Sequence, residues 1–163
     1  MKINSRGFTL IEILIVIGVI GILASVLIAV LNPIRQINKA RDSQRKNDLR
    51  QVQQALEQYY SDFGNYPAAS CFSSNTSCWS VVNGASNLLG VNASNYIRQM
   101  PVDPKTSGSD CTSASSYGYK YVASGGTSYT LVTRLENTSD SQIQTGPIAG
   151  CNSVFNYSLT NQQ

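Results

Sequence analysis

From Phe8 to Leu31 the chain reads FTLIEILIVIGVIGILASVLIAVL, broken by a single charge, Glu12. As a helix this run is about 36 Å long, against a hydrocarbon thickness of about 30 Å, so it is long enough to cross a membrane. A chain of 163 residues carrying such a segment has room for one further domain. Ahead of the run stand only residues 1–7, whose charges are Lys2 and Arg6. Positive residues before a span hold that end in the cytoplasm and send the chain beyond Leu31 outside. An ordinary secretory signal shows a small-residue cleavage site after its apolar core. Here Ala24-Ser25 lies inside the run and the apolar character continues to Leu31, so the segment is expected to be retained.

The remainder is polar but weakly charged. Charged residues make up 13% of the chain, about half the usual globular share, beside 42% hydrophobic residues. There is no histidine, which removes Ser-His and Cys-His catalytic pairs and the commonest metal ligand. No glycine-rich phosphate loop is present, and Cys71, Cys78, Cys111 and Cys151 lack the Cys-x-x-Cys spacing of zinc or redox sites. A non-enzymatic role is therefore expected.

The net charge of +3 is unevenly placed. Arg35, Lys39, Arg41, Arg45, Lys46 and Arg50 stand against only Asp42 and Asp48, whereas the chain from Gln51 onward is mildly acidic. Such a basic collar can meet lipid phosphates, nucleic acid or acidic surfaces of neighbouring copies. The simpler expectation is a solvated helix face, with Asp42 and Lys46 forming an i,i+4 pair.

Glu12 is the anomaly of the apolar run. An unpaired carboxylate near the start of a span costs on the order of a few kcal/mol, less at the interface. Either Glu12 snorkels to the headgroups, or it finds a cation supplied by another copy, because the span itself holds no Lys or Arg.

The residues around it resemble a known family. Arg6-Gly7-Phe8-Thr9-Leu10-Ile11-Glu12, followed by an apolar run containing Gly21-Ile22-Leu23-Ala24, is similar to the class III signal and N-terminal helix of type IV pilins and type II secretion pseudopilins. The resemblance implies cleavage between Gly7 and Phe8 by a prepilin peptidase, and N-methylation of the new Phe8 amine. It also implies that Glu12 neutralises the Phe8 amine of an adjacent subunit during assembly. The electrostatics agree, since breaking a charge pair in low dielectric strands a buried charge. One departure is that the first proline is Pro33, later than the helix-breaking proline of many pilins. Gly18 and Gly21 inside the run serve either local melting of the helix or close helix packing.

Beyond the run, Asn32-Pro33 should kink the helix or mark its exit from the membrane. Leu49, Val52, Leu56, Tyr59 and Phe63 recur at three- and four-residue steps and predict one apolar helix stripe, while residues 35–48 stay polar. Gly64-Asn65-Tyr66-Pro67 stops that helix. From Thr9 to Phe63 the helical stretch amounts to about 80 Å. Residues 40–67, ending in Tyr66-Pro67, and the later segment from Tyr96 to Pro104 are similar to those of the G-type pseudopilins and related pilins.

Residues 68–95 read as a variable loop region with a short helix near Val81 to Leu89. Tyr117, Tyr119 and Tyr121 alternate with smaller or polar residues and predict a strand. Ser124-Gly125-Gly126-Thr127 is a turn, and Tyr129, Leu131, Thr133 and Leu135 form the matching face of a second strand. A third strand is expected near Val154 to Leu159. The tyrosines could stack nucleic-acid bases, but no basic groove accompanies them, so they are expected to cover the helix stripe. The fold class is α+β: a long N-terminal helix, apolar first and amphipathic second, packed on a small antiparallel sheet with a disulfide-stapled C-terminal region. Its expected divisions are a leader at 1–7, a transmembrane and filament-core helix at 8–33, an amphipathic helix at 34–66 and a globular head at 67–163.

The simplest cysteine pairing joins Cys71 to Cys78 and Cys111 to Cys151, one of three possible connectivities. Glu136, Asn137, Ser139 and Asp140 offer hard oxygen ligands. Several secretion pseudopilins bind calcium in a C-terminal loop, so the resemblance makes Glu136, Asn137 and Asp140 calcium candidates. There is no EF-hand spacing, however, and a polar turn has the same sequence. No other cofactor is expected.

The expected function is a structural subunit, a prepilin cleaved and polymerised into a type IV pilus or a type II secretion pseudopilus. The precursor would sit in the cytoplasmic membrane with its N-terminus inside, and the filament in the periplasm or outside the cell. By resemblance its partners are copies of itself, the prepilin peptidase and methyltransferase, an assembly ATPase and a membrane platform protein. Two alternatives stand beside this: a single-pass anchored extracellular binding module, and a DNA-uptake pilin whose collar contacts phosphate.

Overall fold

The computed structural model describes residues 7–68, 71–72, 96–108 and 110–161. The chain divides into two compact units, Met1–Ile37 and Asn38–Gln163.

In the first unit, helix α1 (Leu10–Leu31) runs for 22 residues. All of its described side chains are exposed, so it has no inward face. Within it, Leu10–Ile28 is long and apolar enough to cross a membrane. A helix that is apolar all round needs an apolar environment from outside itself. It ends at Asn32, which adopts a left-handed conformation with φ 42°; asparagine tolerates this because its short amide bonds locally. Helix α2 (Pro33–Phe63) starts at the next residue. Pro33 suits the first helical position, where its missing N–H leaves no bond unmade. The Asn32 side-chain oxygen accepts the Arg35 N–H at 3.4 Å. The break expected at Asn32-Pro33 is thus a junction in which one asparagine closes α1 and opens α2.

In the second unit, α2 buries Leu49, Val52, Ala55 and Leu56, while Tyr59 is partly buried. Phe63 is 53% exposed, so the buried stripe is one turn shorter than the periodicity predicts. Phe63 packs on Tyr59 instead, with ring centroids 4.5 Å apart. The helix stops where expected: Gly64 has φ 71° and donates its N–H to the Tyr60 carbonyl at 2.8 Å.

Strands β1 (Cys71–Phe72), β2 (Lys120–Ser124), β3 (Ser128–Thr133) and β4 (Tyr157–Thr160) form one antiparallel sheet in that order. The β2–β3 hairpin pairs Ser124 with Ser128 and Tyr121 with Leu131. Gly125 and Gly126 supply the positive φ values its turn requires. The first predicted strand begins three residues late. Tyr117 exchanges both backbone bonds with Ser107, at 3.0 Å each, and so does not join β2. The third predicted strand also starts late, at Tyr157, with Phe155 buried just before it.

Side chains of β3 alternate between the two faces of the sheet. On one face Leu131, with Tyr119, Tyr121, Tyr129 and Tyr157, meets Leu49, Val52 and Leu56 of α2. On the other, Val132 packs with Phe155 and the Cys111–Cys151 disulfide. That disulfide spans 40 residues of sequence, a loop whose closure is worth about 3–4 kcal/mol. Cys71 is also disulfide-bonded. Its expected partner Cys78 and the expected helix near 81–89 lie outside the described residues.

The buried tyrosines cover the helix stripe and bond their hydroxyls to polar groups around it. Tyr119 donates to Asp48 at 2.6 Å, Tyr129 and Tyr66 both donate to Glu57 at 2.8 Å, and Tyr121 donates to the Pro67 carbonyl at 2.6 Å. Burial and the Glu57 carboxylate push the Tyr66 hydroxyl up to about 12, so it remains a donor at any physiological pH. With Tyr119 and Tyr121 fully buried, these rings present no platform for bases.

Candidate assembly site

Gly7 and Phe8 precede α1 in non-helical backbone, and Phe8 is 81% exposed. The bond between them is accessible, as an endopeptidase requires. Thr9, extended with φ −79° and ψ 150°, is the N-cap. Its hydroxyl oxygen accepts the Glu12 N–H at 3.3 Å. In return the Thr9 N–H donates to Glu12 Oε2 at 3.2 Å, and the Thr9 hydroxyl lies 3.1 Å from the same oxygen. This reciprocal capping box satisfies two otherwise orphan donors and sets a negative charge against the positive end of the helix dipole.

Glu12 is therefore held at the end of the helix nearest Phe8. Its carboxylate is the one anionic feature on an otherwise apolar, outward-facing cylinder. Thr9 is a residue that the sequence pattern did not single out. Its signal was legible, because Thr-x-x-Glu immediately before an apolar run is a helix-start signature.

The collar residues on α2 do not all face solvent. Arg45 is fully buried and Asp42 is 2% exposed. The guanidinium grips Asp103 through Nε at 2.7 Å and Nη2 at 3.0 Å, and its Nη1 donates to Asp42 at 2.8 Å and Glu136 at 2.9 Å. Burial opposes the charge on Arg45, but the bonds and charge of Asp103, with Glu136 and Asp42, outweigh it and raise its pKa. The expected Asp42–Lys46 pair is replaced. Asp42 accepts the backbone N–H groups of Glu136 and Asn137, while Lys46 donates to Asp140 at 2.6 Å. The polar helix face predicted over 35–48 is in part an internal ionic seam.

The calcium candidates stand in that seam. Glu136 is met by Arg45 at Oε1 and by Lys105 at Oε2, 3.2 Å away. Asp140 is met by Lys46, and its Oδ1 accepts the Gln142 N–H at 2.9 Å. Desolvation alone would raise the Glu136 pKa, but Arg45 and Lys105 lower it below the usual range. Lys46 does the same for Asp140. Among the described residues no three His, Cys, Asp or Glu side chains gather into a metal-holding group.

The sequence-family profile described as the prokaryotic N-terminal methylation motif matches residues 2–28. Type II secretion system core protein G of Escherichia coli K12 is 32% identical over 104 residues, covering 62% of this chain and 67% of that protein. The type IV major pilin protein PilA of Myxococcus xanthus is 38% identical over 63 residues, and the toxin coregulated pilin of Vibrio cholerae 33% over 67 residues. Those matches cover 39% and 41% of this chain but only 28% and 29% of the two pilins. No solved structure matches the chain significantly.

Proposed function

This chain belongs to the family of type IV pilins and type II secretion pseudopilins, and from that premise we propose that it is a filament subunit whose α1 is buried, once assembled, by other copies of itself. The observation that carries this reading is the exposure of every described α1 side chain beside a capped carboxylate at Glu12. Before assembly the membrane satisfies that surface, with residues 1–7 in the cytoplasm and the head outside. After cleavage between Gly7 and Phe8, the methylated Phe8 amine is a cation at the end of an apolar helix. Packed among neighbouring helices, neither that amine nor Glu12 keeps its water. Each then needs an opposite charge from the next copy, since stranding either one is costly. An ATPase and a membrane platform would drive insertion of each new subunit.

The test is Glu12→Ala in the native membrane. Processing at Gly7 should proceed as in the parent, read as an intact mass beginning at methylated Phe8, while filament yield falls by at least an order of magnitude. Normal filament yield from this variant would overturn the charge pairing. A parent chain still beginning at Met1 beside an active prepilin peptidase would overturn the pilin pathway and leave an anchored extracellular domain.

A further inference from the structure

A calcium ion takes six to eight oxygen ligands and needs carboxylates free to bind it. The residues in this head that look most like such ligands are already engaged by the chain's own cations. Glu136 lies between Arg45 and Lys105, with Arg41 3.9 Å away. Asp140 is held by Lys46, and Asn137 turns its backbone N–H, a donor, to Asp42. The cations are positioned from the other side as well. Lys105 sits 4.3 Å from the centre of the Tyr117 ring and Lys46 5.5 Å from that of Tyr157.

Asp42, Asp103, Glu136 and Asp140 face Arg41, Arg45, Lys46 and Lys105. A divalent ion at Glu136 and Asp140 would have to displace both ammonium groups from their carboxylates, or else add two positive charges to a partly desolvated seam that still holds Arg45. The donor set therefore does not fit calcium.

We propose that built-in cations close this head in place of a divalent ion. Arg45 and Lys46 on α2, with Lys105 in the 96–108 segment, fasten the turn at 136–143 to the helix, so that the head folds and holds without calcium. The proposal concerns the head alone and is independent of how α1 is used, so its failure and that of the assembly reading are distinguishable.

The experiment uses the full-length chain in detergent micelles. Its melting temperature is followed with calcium raised to about 10 mM, above the roughly millimolar affinity of weak extracellular sites, and then with excess chelator. Equal melting temperatures are expected. A bound ion at about ten times its dissociation constant would raise the melting temperature by about 4 °C or more, and a rise of that size overturns the proposal. Lys46→Met and Lys105→Met, made singly, should each lower the melting temperature while the chain still folds. Lys105 is the safer of the two, its side chain being 46% exposed. Unchanged melting in both variants would equally overturn the proposal.

Discussion

The unit Met1–Ile37 and the unit Asn38–Gln163 meet the demands of burial in opposite ways. In the first, every described side chain of α1 is exposed, and the helix's one carboxylate is hydrogen-bonded by its cap but meets no Lys or Arg within the helix. In the second, apolar side chains cover both faces of the sheet and the buried charges meet charges of the same chain. One region is energetically unfinished and the other is closed. The lesson is a division of labour: changes in α1 should appear in assembly with little effect on head stability, and changes in the head should appear in folding.

The largest expected break of that contrast comes from Arg45→Met. It removes one buried cation and strands Asp42, Asp103 and the buried part of Glu136, each placed to meet it. Breaking such a cluster from one side costs about 3–5 kcal/mol. Denaturant unfolding of the full chain in micelles measures the loss, and Glu12→Ala should show none of it. A loss below about 1 kcal/mol for Arg45→Met would mean that apolar packing alone closes the head.

How much of this was legible in the sequence depends on the range of the forces involved. The α1 run, the Leu49–Val52–Leu56 stripe and the Gly125-Gly126 turn are local patterns, and each lies where its periodicity or turn chemistry put it. The Arg45 cluster is not local. Its partners Asp103 and Glu136 lie 58 and 91 residues away, and no spacing rule connects a mid-helix arginine to them. The same blindness makes 35–48 look like a solvated face. Phe63 fails for a different reason: it keeps the helical period after the buried segment of α2 has ended. Thr9 differs from both, since its capping signal is wholly local and stands in the four residues Thr9 to Glu12.

Acid is the next probe, with a smaller and more gradual effect. Glu136 and Asp140 are held below their ordinary values of 4.5 and 3.8. A carboxylate with a lowered folded pKa contributes stability that is fully present above its unfolded value and is lost as pH falls through its folded one. Head stability should therefore hold on descending to those ordinary values and fall below them. Asp48 works the other way, because burial raises its pKa despite the bond from Tyr119, so it adds a gain as pH falls toward its ordinary value, ahead of that decline. Lys46→Met removes the largest support of the Asp140 charge. It should make the decline shallower from a lower starting stability, as read by melting at a series of pH values. A profile parallel to the parent's would show that Asp140 is not coupled to folding through Lys46.

The smallest effect tests the other half of the comparison. Thr9→Ala deletes the hydroxyl that accepts the Glu12 N–H and contacts its carboxylate, at a typical cost for a lost N-cap of about 1 kcal/mol. Spread over one helix end, that should speed amide exchange at Glu12 and Ile13 by about fivefold in micelles, with head melting unchanged. Because the carboxylate itself remains, filament yield should fall far less than in Glu12→Ala. Thr9→Ser, which keeps an oxygen in place, should restore slow exchange. If Thr9→Ala instead abolished filaments as fully as loss of Glu12 does, the capped geometry would be what assembly reads. The charge would then act only through the helix end it helps to fix.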